Sequence, residues 1–284
     1  KNLTLSKALR LDHISPTRVA FVGAGGKTTA LFQLARELSP CIVTTTTHLG
    51  AWQASEADQH IIIRKAEDVN QLEEIAFSGI ILVTGEEKRA RLPSLPDESL
   101  KWLEQFSNYH SLPLLIEADG ARQKPLKTPK DDEPVIPDFI KTVIVVAGLS
   151  GIGKSLNEEN VYNAEDFAKL GKMKEGEKIT AENLSKVLLH ENGGLKNIPK
   201  NARRIALLTQ ADTPEIKAIS RNIAKNILPK YDSVISANLQ TSNLQTFEAP
   251  SAIILAAGSS SRFGQSKQLL DYHGKPFIRA VAEK

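Results

Sequence analysis

Cysteine is nearly absent, with Cys41 the single thiol in a chain of 284 residues. One thiol excludes an internal disulfide framework and fits a reducing compartment. Long apolar runs are lacking too. None approaches the roughly 18 residues of a membrane span, and residues 1–15 have no extended apolar core of the signal-peptide kind. The expectation is a cytoplasmic protein with no membrane contact. An excess of one charge is also missing, because 36 Lys and Arg against 33 Asp and Glu leave a formal net charge of +3. The basic residues are spread along the chain, which leaves no electrostatic footprint for nucleic acid. What remains is the composition of a folded chain, 41% hydrophobic and 24% charged, long enough for one large or two ordinary domains.

The stretch around which the rest is organised is Arg18-Val-Ala-Phe-Val-Gly-Ala-Gly-Gly-Lys27-Thr28-Thr29. Val19–Val22 follow Pro16 and read as a buried strand. Gly23, Ala24, Gly25 and Gly26 then form a turn whose backbone N–H groups can approach an anion closely. Lys27 supplies charge for phosphates and Thr28 a hydroxyl for a bound Mg²⁺. Thr29 carries the turn into a helix whose positive dipole end faces the same place. Leu31, Leu34, Ala35 and Leu38 fall at i, i+3, i+4 and i+7, so this helix has one apolar face. The loop is shorter than the standard phosphate loop, with only Ala24 and Gly25 between Gly23 and Gly26. A loop shortened in this way resembles the nucleotide loop of the Mur-type peptide ligases. The other reading is a glycine-rich strand-to-helix turn that binds nothing.

Downstream, strands are expected at Cys41–Thr46, His60–Ile63, Ile80–Val83, Leu114–Ala118, Thr142–Ala147 and Arg204–Leu208. Helical patterns lie at Ala66–Phe77, Asp97–Tyr109 and Thr180–His190. The alternation predicts an α/β fold, a mostly parallel sheet with helices on both faces. Thr44–Thr47 and His48 stand where a strand leaves the sheet, either to position Mg²⁺ or substrate or as β-formers with a helix cap. Residues 89–96 form a proline-punctuated loop. Leu114–Ile116 is an apolar strand ending in Glu117 and Asp119, the usual way to hold Mg²⁺ opposite phosphates, so Asp119 is the candidate metal ligand and Glu117 a weaker one. Arg122, Lys124, Lys127 and Lys130 follow at the same sheet edge. For Lys127 and Lys130 a solvated basic loop is the better reading.

Gly148-Leu-Ser-Gly-Ile-Gly153-Lys154-Ser155 satisfies the full phosphate-loop spacing after a strong strand. It ranks second to Lys27, because Glu158 and Glu159 fall where a helix start should receive phosphate; they would cap a helix beginning around Asn157–Tyr162. Thr209-Gln210-Ala211-Asp212 resembles the Asn-Lys-x-Asp element by which GTP-binding proteins read guanine. Ser236-Ala237 is similar to the element that supports the same base. A strand-end Asp before Thr213-Pro214 is equally an ordinary helix start. Residues 239–250 look like a linker. After it Ala252–Gly258 is a strand feeding a second glycine loop, in which Gly258, Arg262 and Lys267 would neutralise a nucleoside triphosphate.

Gly23 to Thr29, Thr44 to His48, Glu117 to Arg122, Glu133 to Pro137 and Gly148-Leu149, in that order, resemble the YqeC-type accessory proteins linked to selenium-dependent molybdenum hydroxylases. The resemblance covers residues 1 to about 240 and implies a role in maturing such a hydroxylase or its labile selenium cofactor. Residues 252–278 resemble the start of the MobA-like nucleotidyltransferases. Their Leu-Ala-x-Gly-x-Ser-x-Arg-x-Gly-x-x-Lys pattern is matched from Leu255 to Lys267, with Ala257 and Gln268-Leu-Leu270 closer to the molybdenum cofactor cytidylyltransferases. That likeness implies that the metal-binding acidic motif lies beyond Lys284. The expected organisation is a P-loop NTPase-like nucleotide-binding domain at 1–238, a linker at 239–250, and at 251–284 a truncated Rossmann-like nucleotidyltransferase segment. The expected cofactors are Mg²⁺ with ATP or GTP in the first domain and CTP in the second. Lys27, Asp119 and Arg122 are the expected catalytic residues, and the molybdenum cofactor and a molybdenum hydroxylase the expected partners.

Overall fold

The computed structural model describes residues 3–11, 15–248, 276 and 279. Contacts divide the chain into two units, 1–248 and 249–284. In the first unit the chain runs α1 (Leu5–Ala8), β1 (Arg18–Gly23), α2 (Lys27–Leu38), β2 (Cys41–Thr45), β3 (His48–Gly50), β4 (Gln59–Ile62), β5 (Ile80–Thr84), β6 (Arg91–Pro93), α3 (Asp97–Tyr109) and β7 (Leu114–Glu117). It continues through β8 (Leu126–Lys127), β9 (Thr142–Gly148), β10 (Val161–Tyr162), α4 (Ala164–Gly171), α5 (Ala181–Leu189), β11 (Arg203–Thr209), α6 (Pro214–Ile227), β12 (Ser233–Asn238) and β13 (Asn243–Phe247).

Nine strands form one sheet in the order β13-β12-β11-β9-β1-β7-β2-β5-β4, parallel throughout except for β13. The strands read as unbroken apolar runs because both faces are covered. Along β1, Val19 and Phe21 enter one core with Leu5 of α1 and Leu31 and Leu34 of α2. Ala20 and Val22 enter the opposite core with Leu103 of α3, Phe167 of α4, Leu184 of α5 and Ile223 of α6. The expected α/β sheet with helices on both faces is therefore what this sequence builds. From β1 the chain crosses to β2 and the edge strand β4, returns through β5 to β7 beside β1, and then passes to the other side for β9, β11 and β12. In a doubly wound sheet the ligand crevice opens at such a reversal, beyond the carboxyl ends of the strands.

Several local expectations differ from the structure. Residues 239–250 are not all linker, since Asn243–Phe247 add an antiparallel edge strand to β12. Their polar composition suits a half-exposed edge, and only Leu244 and Phe247 reach the cores. Ala66–Glu73 is a 3₁₀ helix rather than an α-helix. Its two buried residues, Val69 and Leu72, are three apart, which matches a three-residue turn. The proline-rich loop at 89–96 contains β6, paired antiparallel with β3. No helix begins around Asn157–Tyr162. Asn157 Oδ1 accepts from the backbone amides of Glu159 and Asn160 in a turn, Val161–Tyr162 pairs with β8, and the next helix starts at Ala164. Residues 249–275 lie outside the described residues, and with them Gly258, Arg262 and Lys267.

The junction from β1 to α2 explains its own glycines. Gly23 (φ 95°), Gly25 (81°) and Gly26 (104°) are all left-handed. A Cβ on Gly23 would stand 2.1 Å from the Val146 carbonyl oxygen, and one on Gly25 2.4 Å from the Gly148 backbone, whereas at Gly26 the nearest atom is 3.7 Å away. Gly26→Ala therefore carries only backbone strain, about 1–2 kcal/mol. Gly23→Ala adds a clash against β9 and is expected to cost more than about 3 kcal/mol. Urea unfolding of the two variants checks this ranking.

Candidate functional site

The carboxyl ends of β1 and β7 lie side by side, with Phe21 in register with Glu117. This register sets the glycine loop beside Glu117 and Asp119. Lys27, the first residue of α2, points back across the strand ends and is buried there (4% exposed). Its Nζ donates to the Asp119 carboxylate and to the Asp119 carbonyl, and lies 3.5 Å from Glu117 Oε1. Asp119 is fully buried and also accepts from the Gly23 backbone amide at 2.9 Å. The carboxylate thus closes the glycine loop as well as pairing with the lysine.

A second lysine completes the cluster. Lys127 Nζ lies 2.8 Å from both Asp119 Oδ2 and Glu133 Oε2 and donates to the Gly120 carbonyl at 2.6 Å. The sequence placed Lys127 in a solvated loop. The correction is that its side chain is 1% exposed, because the two acids make burial of the charge tolerable. Lys130 does stay exposed. On the other flank Thr28 Oγ1 donates to Glu117 Oε2 at 2.9 Å and accepts from Gln53 Nε2 at 2.9 Å. The Gly50 amide orients Gln53 by donating to its Oε1 at 2.7 Å.

These contacts set the proton affinities. Burial works to lower the pKa of Lys27, but the Asp119 and Glu117 carboxylates outweigh it and hold the ammonium above its ordinary value. Burial likewise favours the neutral form of Asp119, yet Lys27 and Lys127 hold its carboxyl below the usual range. For Glu117 burial wins and pushes the carboxyl up. His48, whose ring a Cβ on Gly120 would meet at 3.8 Å, is lowered by burial and then by Arg91. It is therefore a neutral imidazole near pH 7.

The structure brings Lys27, Thr28, Glu117 and Asp119 together with Gly23–Gly26, as the sequence predicts, and leaves other candidates apart. Thr29 is exposed on the first turn of α2. Arg122 is exposed too, with its guanidinium 5.5 Å from the centre of the Tyr162 ring. Asp212 lies beyond the end of β11, two strands from β1. The Thr44, Thr45 and Thr46 hydroxyls donate to the carbonyls of Val83, Glu117 and Val135, so they fasten strand ends and are occupied. Lys154 is exposed and followed by a 155–178 bridge instead of a helix, which removes the dipole that a phosphate loop needs. Sequence reading missed Gln53, Glu133 and the part played by Lys127. Glu133 belongs to a quoted motif, Glu133 to Pro137, and that was the only signal for it.

Asp119, Glu117 and Thr28 offer hard oxygen donors of the kind Mg²⁺ takes. Among the described residues no group of three or more His, Cys, Asp or Glu side chains is placed to hold a metal alone. Lys27, Lys127 and the Gly23 amide engage both Asp119 oxygens, and Glu117 and Gln53 engage Thr28, so an ion would have to displace some of these partners and take its remaining oxygens from phosphates and water. Gly23, Asp119 and Lys127 also line a cavity whose other walls include Val145, Leu184 and Leu188. No helix among the described residues is long and apolar enough to cross a membrane.

The fold and site define a doubly wound α/β protein with a glycine loop and a lysine–carboxylate cluster at the reversal point of the sheet. Residues 19–165 match the family model of the YqeC protein, and the chain belongs to the YqeC family. Residues 252–284 match a MobA-like NTP transferase domain, so the chain ends in a segment of a nucleotidyltransferase type. The uncharacterized protein YqeC of Escherichia coli strain K12 is 29% identical over 224 residues, which cover 76% of this chain and 84% of that protein. No solved structure matches the chain. Together the two family matches support a nucleotide-related accessory role.

Because folded Asp119 titrates below the ordinary aspartate value of 3.8, its ionised form stabilises the fold above that pH. This contribution is lost as the pH falls through the folded value. Asp119→Asn is expected to cost about 3–5 kcal/mol at neutral pH by removing the carboxylate that two buried lysines share, and to flatten the acid limb of the stability profile. Urea unfolding between pH 7 and pH 3 measures both effects.

Proposed function

We propose that the first unit binds a nucleoside triphosphate with Mg²⁺ at the glycine loop and hydrolyses it, in the service of maturing a molybdenum hydroxylase or its labile selenium cofactor. The observation that carries this reading is the cluster of Lys27, Thr28, Glu117 and Asp119 at the adjoining ends of β1 and β7. The Gly23 and Ala24 amides are engaged by Asp119 and the Val146 carbonyl, so the amides of Gly25 and Gly26 and the first turn of α2 would face the polyphosphate. Lys27 would exchange its carboxylate partners for phosphate oxygens. Thr28 and Asp119, with Glu117 behind them, would hold Mg²⁺, which when bound offsets charge on the phosphates. In hydrolysis, water attacks the terminal phosphorus and the bond to the bridging oxygen breaks. Arg122 and Lys130, both exposed beside Tyr162, would have to turn toward the loop to offset the charge that develops there.

The 252–284 match supports the further reading that this segment opens a cytidylyltransferase-type domain using CTP. The absence of a long apolar helix among the described residues and the buried Cys41 are compatible with a cytoplasmic protein. One observation favours a second reading, a nucleotide-gated adaptor without turnover. Lys27 is already paired with Asp119 and Glu117, so a nucleotide would have to displace that pairing, which would give the site two states. Phosphate release with and without a molybdenum hydroxylase partner separates the two.

Lys27→Ala is expected to abolish binding of Mg²⁺-nucleotide to the first unit, whereas Lys154→Ala retains the parental affinity. Calorimetric titration of both variants decides it, and an equal loss in Lys154→Ala overturns the assignment of the phosphate site.

A further inference from the structure

We infer that the ends of β11 and β12 form a base-reading site selective for guanine, an inference that rests on the phosphate site proposed above. The first observation is placement. β11 lies two strand spacings, about 10 Å, from β1 with β9 between them. Thr209 at its end donates to the Gly25 carbonyl, and its side chain lies 3.7–3.8 Å from the point where a Gly26 Cβ would stand. The strand end is thus fastened to the glycine loop, and Gln210 to Asp212 lie where the nucleoside of a loop-bound polyphosphate would extend.

The second observation is the state of Asp212. Its place before α6 suggests a helix cap, but Thr213 fills that role, its side chain accepting from the Ile216 amide with Pro214 in the first turn. Asp212 is instead held from β12. Asn238 Nδ2 donates to its Oδ1 at 2.6 Å, and Asn238 is itself fixed by the Thr241 amide donating to its Oδ1 at 3.0 Å. The Ala211 amide donates to the Ala237 carbonyl at 3.1 Å, which locks the two strand ends together. An exposed carboxylate held by a single donor on Oδ1 leaves Oδ2 and the remaining lone pair of Oδ1 for a ligand. Beside it Gln210, in a left-handed turn (φ 59°), carries a buried Oε1 with no hydrogen-bond partner. That oxygen faces Gly148 at the end of β9, 2.7 Å from where a Cβ on that glycine would stand, and ties Gln210 to the loop side of the strand end.

The Asp212 carboxylate offers acceptors where a base must supply donors. Guanine presents N1–H and the N2 amino group side by side, the pattern that the two oxygens of one carboxylate accept. Adenine presents a ring-nitrogen acceptor at the corresponding position, which faces a carboxylate unfavourably. A pair of bonds of this kind discriminates on the order of 100-fold.

Titration of the full chain with the Mg²⁺ complexes of GDP, ADP and XDP, with Lys27→Ala as background, tests the inference. Lys27-dependent GDP binding on the order of 100-fold tighter than ADP supports it. Asp212→Asn should then weaken GDP and strengthen XDP, because the asparagine amide donates to the 2-oxo group of xanthine where aspartate cannot. Loss of GDP with no gain of XDP would assign Asp212 a structural role and overturn the proposal. Equal, Lys27-dependent binding of GDP and ADP overturns base selectivity and leaves the phosphate site standing, while no Lys27-dependent binding of any of the three overturns both.

Discussion

The fold turns on one buried electrostatic problem, the desolvation of two lysines at the centre of a parallel sheet. Lys27 and Lys127 reach the end of β7 from opposite flanks and share Asp119, with Glu117 and Glu133 as outer partners. Placing an ammonium out of water costs several kcal/mol, and only close, well-hydrogen-bonded acids offset it. The offset requires β1 and β7 to be neighbours in a set register and the loop after β7 to double back. Most of the architecture near the site is a consequence of that requirement. The Gly23 amide bonded to Asp119 and the Gly148 amide donating to the Pro125 carbonyl tie the glycine loop and β9 into the same knot.

The arrangement also gives the two carboxyls different characters. Asp119, between two ammonium groups, is held ionised, while Glu117, served by one lysine and a threonine, is pushed toward its neutral form by burial. Groups with separated proton affinities at one strand end are a recurring property of sites that handle charge. Here they sit beside a glycine loop whose first two amides are engaged within the protein, Gly23 by Asp119 and Ala24 by the Val146 carbonyl.

Much of this was legible in the sequence because it is local. Val19–Val22, Leu114–Ile116 and Thr142–Ala147 are continuous apolar runs, and such runs between helical patterns announce a doubly covered parallel sheet. Lys27, Thr28, Glu117 and Asp119 could be grouped because a strand, its turn and its last side chain are read from adjacent letters. The fate of Lys127 was not legible, since its burial depends on Asp119 across the strand end and on Glu133 after another turn. Nothing in the run Arg122-Gln-Lys-Pro-Leu-Lys127 distinguishes a solvated lysine from a buried one. β13 escaped for a related reason. An edge strand packs only a little of itself, so Leu244 and Phe247 alone carry its pattern, and three residues apart they do not display a period of two.

The close approach of the glycine turn to β9 has a consequence for how such loops are read. Gly23 and Gly25 are required by the carbonyl of Val146 and the backbone of Gly148 whether or not an anion is ever held there. A descendant of this chain that abandoned its ligand would keep both glycines simply to remain folded. Lys27 is bound in the same way, since Asp119 also holds the buried Lys127 and the Gly23 amide, and the charges would have to be replaced together. Neither the small residues nor the charged ones are by themselves a mark of an occupied pocket.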